Sequence, residues 1–297
     1  KEDYIMKTDF LMRSLMFVPA HNERLMNSAV KSNADVLLLD IEDSVLPKEN
    51  KQVARDMIFK YVTNGIFKNR IIFPRVNDRE SGELLKDVHQ LTIDGIAGFM
   101  YPKSQKGEDV YFFGKLLETI EHEKNIPIGT FKIIPLIETA GAVMNIQEIC
   151  MACPNRVIAV AFGCEDFVTD LGGQHDKEGK SLFTARNMIA MGARATGVVP
   201  IDTVHINVHD LEDLERNLII SKKLGYEGMM ILNPKELALC HKYYSPSEEQ
   251  VEWAEEILEL AVEAQKEGKG VAIKGNKFIG PPMVKMAKDI LAKNELI

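Results

Sequence analysis

The chain has 297 residues, of which 45% are hydrophobic, 27% charged and 7% aromatic, a profile that excludes a disordered, collagen-like or membrane-embedded chain. At this length a folded chain buries roughly three-quarters of the surface its unfolded form exposes, so a large core is available. Thirty-six basic against 44 acidic groups give a net charge of −8, which argues against a nucleic-acid binder working through a broad basic face.

Eight short apolar, β-rich runs follow in chain order, at 15–18, 36–41, 71–76, 96–101, 132–137, 157–162, 203–207 and 228–232. Between and after them, helical spacing covers 50–61, 83–92, 108–122, 142–152, 182–195, 210–224 and 234–241, with Asp210 placed as an N-cap ahead of Glu212 and Asp213. The period is about 30 residues, the length of a βα unit. Eight such units predict a closed (β/α)8 TIM barrel over residues 12–244, with a doubly wound open sheet as the alternative. Residues 245–297 leave this rhythm. A helix opens at Ser247 and stops at Glu267-Gly268-Lys269-Gly270, a hairpin or extended arm spans 271–280, and a last helix covers 283–292. This C-terminal extension is expected to pack on a neighbouring subunit.

A barrel of this type carries its chemistry at the C-terminal ends of the strands. The first run leads to Pro19-Ala20-His21-Asn22, the second to Asp40-Ile41-Glu42-Asp43, the third to Arg75-Val76-Asn77 and the fourth to Lys103. Glu138 follows the fifth, Glu165-Asp166 the sixth, His205 and Asn207 the seventh, and Asn233-Pro234 the eighth. Any one of these is ordinarily a helix cap or a rim ion pair. Ionic groups crowded at the ends of five adjacent strands, however, cost stability unless they bind something. Glu138 and Asp166, read as the ends of consecutive strands, can share one hard divalent cation, Mg2+, through oxygen ligands. No His-rich or thiolate set competes for Zn2+ there. Arg75 offers a planar fork for a substrate carboxylate, so a small α-keto or α-hydroxy acid is the expected ligand. Lys103 reads as a cationic helper and not a Schiff-base former, because acidic neighbours hold its pKa up.

Other motifs are weaker. Cys150-Met-Ala-Cys153 has redox spacing but falls late in a predicted helix with no second pair, and the polar loop from Asp170 to Gly179 is a candidate lid. Neither a P-loop nor a dinucleotide fingerprint is present. Four cysteines in a chain of this size point to a reducing, cytoplasmic setting. No apolar run reaches ~18 residues and the opening KEDYIMKTDFLMRSLM has no unbroken apolar core, so neither a membrane span nor an export signal is expected. Lys at position 1 is compatible with a trimmed upstream end.

The segments Leu15-Met-Phe-Val-Pro-Ala, Asp40-Ile-Glu-Asp-Ser-Val, Pro74-Arg-Val-Asn, Tyr101-Pro-Lys, Ile134-Pro-Leu-Ile-Glu-Thr, Ala161-Phe-Gly-Cys-Glu-Asp-Phe, Ile201-Asp-Thr-Val, Leu232-Asn-Pro and Tyr244-Ser-Pro-Ser resemble, in order, the citrate lyase beta-subunit family. The resemblance implies an Mg2+-dependent TIM-barrel lyase that splits a carbon–carbon bond in a 3-hydroxy-acid acyl thioester. The thioester is a citryl, malyl or citramalyl ester of CoA or of an acyl carrier protein, and the products are a keto acid and an acyl thioester. It also implies Glu138 and Asp166 as metal ligands, catalytic Arg75 and Asp43, and substrate contacts from Arg75, Lys103, Glu42 and Asn207, with Asp40 and Glu165 supporting the rim. A homo-oligomer, a trimer or hexamer, with possible further lyase subunits is expected, without nucleic acid or membrane. Three positions depart from the family's pattern: Gly280 in the C-terminal arm where relatives carry an Asp, Asn207 in place of Asp, and Met229 in place of Lys. They suggest an altered substrate or proton route, with water, His21 or His205 as proton donor. The rival expectations are an aldolase acting on free hydroxy or keto acids, a malyl-type thioesterase, and a non-catalytic subunit of a lyase complex.

Overall fold

Val36, Leu37, Leu38 and Leu39 are all fully buried, which a strand achieves only when both of its faces are covered. Most residues of the other seven strands are buried as well, the exceptions being Phe17, Pro19, Ile71 and Lys132, which are half-buried. The computed structural model describes residues 8–176, 178–266, 272–274 and 277–297. In chain order the elements are β1 (Ser14–Pro19), α1 (Glu23–Val30), β2 (Val36–Asp40), α2 (Asn50–Thr63), β3 (Ile71–Arg75), α3 (Leu84–Leu91), β4 (Gly98–Tyr101) and α4 (Gly107–Glu123). These are followed by β5 (Lys132–Ile137), α5 (Ala140–Met144), α6 (Ile146–Met151), β6 (Ala159–Phe162), α7 (Cys164–Leu171), α8 (Lys180–Thr196), β7 (Val199–Asp202), α9 (Leu211–Leu224), β8 (Gly228–Ile231) and α10 (Leu237–Tyr244). The eight strands close in sequential order into a parallel barrel, with β1 pairing both β2 and β8. The expected TIM barrel is therefore the fold.

Three local differences from the sequence reading matter for function. The seventh strand is Val199–Asp202, not 203–207. Pro200, a residue that argues against a strand because it cannot donate to a ladder, sits inside it, paired with Val160. His205 and Asn207 consequently lie in the following loop and not on a strand end. The sixth strand is followed at once by the eight-residue helix α7, a segment to which the sequence reading assigns no helix. The helix expected over 142–152 is two short helices, α5 and α6, meeting at Asn145. Asp210 caps α9 as expected, accepting from the Asp213 N–H at 2.9 Å.

Buried ion pairs bind the helices to the barrel and to one another. Arg186 donates to Asp202 on β7, its Nε lying 3.1 Å from Oδ1, and Arg156 Nη1 donates to Glu121 at 2.9 Å. Arg55 Nη1 bridges Glu83 at 3.0 Å and Asp87 at 2.7 Å. All of these side chains are buried, so removing one member would strand its partner's charge.

The chain divides into two compact units, one of Met12–Cys240 and one of Lys1–Leu11 with His241–Ile297. In the second unit α11 (Glu248–Lys266) and α12 (Pro281–Asn294) share an apolar cluster of Ala254, Ile257, Ile279 and Ala287, against which Trp253, Met283 and Leu291 pack. Between these helices β9 (Ala272–Lys274) and β10 (Lys277–Ile279) pair antiparallel. The helix stop read at 267–270 and Asn276 of the arm lie outside the described residues. Gly280 is the N-cap of α12, with prolines in its first turn. Among the described residues no helix is long and apolar enough to cross a membrane.

Candidate active site

Asp40 and Arg75 end neighbouring strands β2 and β3 and stand opposite each other in the register. Their side chains lock together: Arg75 Nε donates to Asp40 Oδ1 at 2.7 Å and Nη2 to Oδ2 at 2.8 Å. Burial works against ionising Asp40, but the guanidinium outweighs it and holds the carboxyl below its ordinary range. Asp40 also accepts from the N–H groups of Glu42 and Ser44, which fixes the loop after β2. That loop returns two more carboxylates to Arg75 Nη1, Glu42 at 3.0 Å and Asp43 at 3.1 Å. The guanidinium carbon sits 4.9 Å from the Phe17 ring centre. The fork that the sequence reading reserves for a substrate carboxylate is thus occupied by Asp40, and by count one Nη2 hydrogen is left over.

Glu138, directly after β5, is 2% exposed. Its Oε2 accepts from the Lys103 backbone N–H at 2.7 Å. Lys103 holds the left-handed conformation (φ +52°) at which a non-glycine residue is strained by about 1 kcal/mol or more, and this is the turn that presents its N–H to Glu138. The Lys103 Nζ reaches instead to Asp78 at 3.1 Å and Glu42 at 3.2 Å, and these acids outweigh burial and raise its pKa, as a cationic helper requires. No cation among the described residues pairs with Glu138. Burial pushes its carboxyl up to about 8, with Glu42 and Asp166 adding like-charge repulsion. Burial likewise raises Glu42 to about 7 in spite of Arg75 and Lys103.

Asp166 lies in the first turn of α7, beyond the β6 end, exposed and without an ion pair among the described residues. Gly163, the N-cap of α7, is what lets the two acids share a space: a Cβ there would stand 2.6 Å from Glu138 Cγ. The sequence reading passes over Gly163; its signal is a lone glycine between a strand and a pair of acids. Gly163→Ala is expected to displace the Glu138 carboxylate and weaken divalent-cation binding by about 10- to 100-fold with the fold retained, as read by calorimetric titration.

A buried carboxylate without a counter-cation, sharing its cavity with the Asp166 and Asp43 carboxylates, fits a hard divalent cation such as Mg2+. The same electrostatics fix a pH dependence for the metal-free protein. Glu138 and Glu42 keep protons when folded that the unfolded chain releases above 4.5. Their contribution to stability is complete below that value and is lost as pH rises through about 7 and about 8. The slope is at most about 1.4 kcal/mol per pH unit for each group. Urea unfolding in chelator is expected to show this decline, and Glu138→Gln to flatten it; an unchanged decline in that variant would contradict the assignment.

These groups open on a cavity of about 570 Å³ lined by Asp40, Asp43, Arg75, Glu138, Glu165 and Asp166 at its polar side, with Phe17, Leu136 and Met230 among its apolar walls. That volume suits a small organic ligand. Asn207 is not there. It lines a second cavity of about 330 Å³ with His205 and Met229, and its Nδ2 contacts Asp213 at 3.4 Å. His205 is buried in the same place, 2.9 Å from Asp213. His21 Nδ1 is buried with no hydrogen-bond partner among the described residues. Neither Cys150 nor Cys153 is in a disulfide, and burial raises the pKa of Cys153, the opposite of what a redox thiol needs.

Residues 13–234 match the model of the HpcH/HpaI aldolase/citrate lyase family. The citrate lyase subunit beta of Haemophilus influenzae is 31% identical over 283 residues, covering 95% of this chain and 97% of that protein. The human mitochondrial citramalyl-CoA lyase is 29% identical over 287 residues, 93% of this chain and 84% of its own. Among solved structures, a citrate lyase of Burkholderia xenovorans superposes with a TM-score of 0.84 at 18% identity, over 96% of this chain and 92% of that one. Protein CitE of Mycobacterium tuberculosis, in complex with magnesium, acetoacetate and coenzyme A, gives 0.73 at 23% identity, over 97% and 99%. The two solved structures share the barrel, and with the family match spanning residues 13–234 the chain belongs to the HpcH/HpaI aldolase/citrate lyase family.

Proposed function

We propose that this protein is an Mg2+-dependent carbon–carbon lyase that cleaves a 3-hydroxy-acid acyl thioester into a keto acid and an acyl thioester. The observation that carries this reading is Glu138, a buried carboxylate without a counter-cation, facing one cavity with Asp166 and the Arg75 cluster. Relatives named for citrate and citramalyl-CoA cleavage, and a fold neighbour holding magnesium and coenzyme A, support the substrate class and the metal.

Glu138 and Asp166 would hold the ion, which when bound supplies Lewis-acid charge to the hydroxyl and carboxylate oxygens of the hydroxy acid. Lys103 positions Glu138 through its backbone N–H and keeps Glu42 in place through Nζ. Arg75, held rigid by Asp40 and carrying Asp43 on Nη1, keeps one Nη2 hydrogen for the departing keto acid and fixes the positive edge of the pocket. The apolar wall of Phe17, Leu136 and Met230 excludes water from the bond that breaks. The enolate of the acyl thioester must then gain a proton. His205 lines the second cavity and is tied to Asp213, Gly280 has no acid to offer, and a water admitted once the keto acid has left is the donor in this reading. Homo-oligomeric assembly, a C-terminal extension packed on a neighbouring subunit and a cytoplasmic setting belong to the same proposal.

The test is turnover of citryl-, malyl- and citramalyl-CoA by the purified chain with Mg2+, following keto-acid release. Keto acid with no free thiol is expected. Thiol release without keto acid would make the protein a thioesterase, activity on free hydroxy acids alone an aldolase, and no turnover at all a non-catalytic subunit.

A further inference from the structure

Helix α7 opens with Cys164 and Glu165, and it is short enough for the chain to come back to its start. A helix rises about 1.5 Å per residue, so eight residues advance little. Gly172 ends it in the left-handed region (φ +67°), its N–H on the Thr169 carbonyl and the Gly173 N–H on that of Val168. The few residues on to His175 cover the return at roughly 3.3 Å each. His175 Nε2 thus lies 2.8 Å from Glu165 Oε1, and Cys164 Sγ lies 3.7 Å from the same oxygen. Sulfur, oxygen and nitrogen all fall within 4.8 Å of one another, the one such group of three among the described residues.

We propose that Cys164 Sγ, Glu165 Oε1 and His175 Nε2 form a second metal site, for a borderline-soft divalent ion of the Zn2+ class, separate from the hard-cation site at Glu138 and Asp166. The donor set separates the two. Thiolate, imidazole and carboxylate together bind Zn2+ at about 2.0–2.3 Å, whereas Mg2+ takes oxygen alone. Ligands on a tetrahedron of that size stand about 3.3–3.8 Å apart, so Glu165 and His175 need part by only about an ångström. Both are exposed and free to do so, while the buried Cys164 supplies the fixed corner. Cys164 lines both cavities, Glu165 the 570 Å³ one and His175 the 330 Å³ one, so the three donors stand where the two spaces meet. The arriving cation supplies the charge that displaces the thiol proton. The site also has a structural consequence. An ion there pins the first turn of α7 to the loop at His175, and that turn carries Asp166.

The experiment is a Co2+ titration of the metal-free full chain in saturating Mg2+, which fills the hard site first. A thiolate-to-Co2+ absorption band in the near ultraviolet is expected to saturate at one equivalent and to be bleached by added Zn2+. The band is expected to be absent in Cys164→Ala, and His175→Ala should weaken Co2+ binding by about tenfold or more. His175 is exposed, so its replacement leaves the core intact and decides the matter if Cys164→Ala proves unstable. No band, a band undiminished in Cys164→Ala, or an unchanged affinity in His175→Ala would overturn the proposal. None of these readouts uses lyase turnover, so this inference and the lyase reading fail independently.

Discussion

Glu138→Gln is expected to lower kcat/KM for thioester cleavage by about 10³-fold or more, equivalent to about 4 kcal/mol of transition-state stabilisation, with the fold intact. The amide keeps the shape and the acceptor for the Lys103 N–H, and removes the charge that a cation needs. Stability should move the other way or not at all. With no metal the wild-type carboxyl, pushed up to about 8, is already mostly neutral at pH 7, so a neutral isostere sacrifices nothing there. The discriminating pattern is a loss of activity with an unfolding temperature at or above that of the wild type. A parallel loss of both would mean that Glu138 is structural.

Arg75→Met is expected to fail on both counts. It leaves Asp40, Glu42 and Asp43 gathered without their shared counter-charge, Asp40 and Glu42 being buried, and breaking such a cluster costs about 3–5 kcal/mol. For a chain of this size that is a fall in unfolding temperature of roughly 6–20 °C, measurable by calorimetry. Arg75→Lys should recover little, because a point charge cannot make the paired contact that Nε and Nη2 make with Asp40. Full recovery by lysine would show that charge alone is at work. The contrast between the two sites is physical: Glu138 is a carboxyl that ionises fully only when a cation arrives, Arg75 a charge already surrounded.

The barrel was legible because its strands are continuous apolar runs buried on both faces, such as Val36–Leu39, and this pattern survives without knowledge of the partners. The seventh strand was misplaced because Thr203, Val204 and Ile206 look more strand-like than a segment interrupted by Pro200. Its place is set by pairing to β6 and β8, which local propensity does not contain. Helix α7 escaped because a glycine stands at each end and eight residues give little periodicity. The acids of the site were legible as strand-end residues. What they do to each other was not: Asp40 taking the Arg75 fork follows from the β2–β3 register, and Gly163 matters only because Glu138 Cγ comes to rest beside it. Asp202, in one of the quoted family segments, turns out to be a buried structural partner of Arg186.

The sharpest single measurement is Mn2+ binding by the metal-free chain, followed through the electron paramagnetic resonance of the free ion; Mn2+ prefers oxygen donors and so reports on the hard site. One tightly held ion per chain, displaced by Mg2+ and lost in both Glu138→Gln and Asp166→Asn, is the expected result. Retention of that ion with unchanged affinity in both variants would contradict the assignment of these two carboxylates as its ligands.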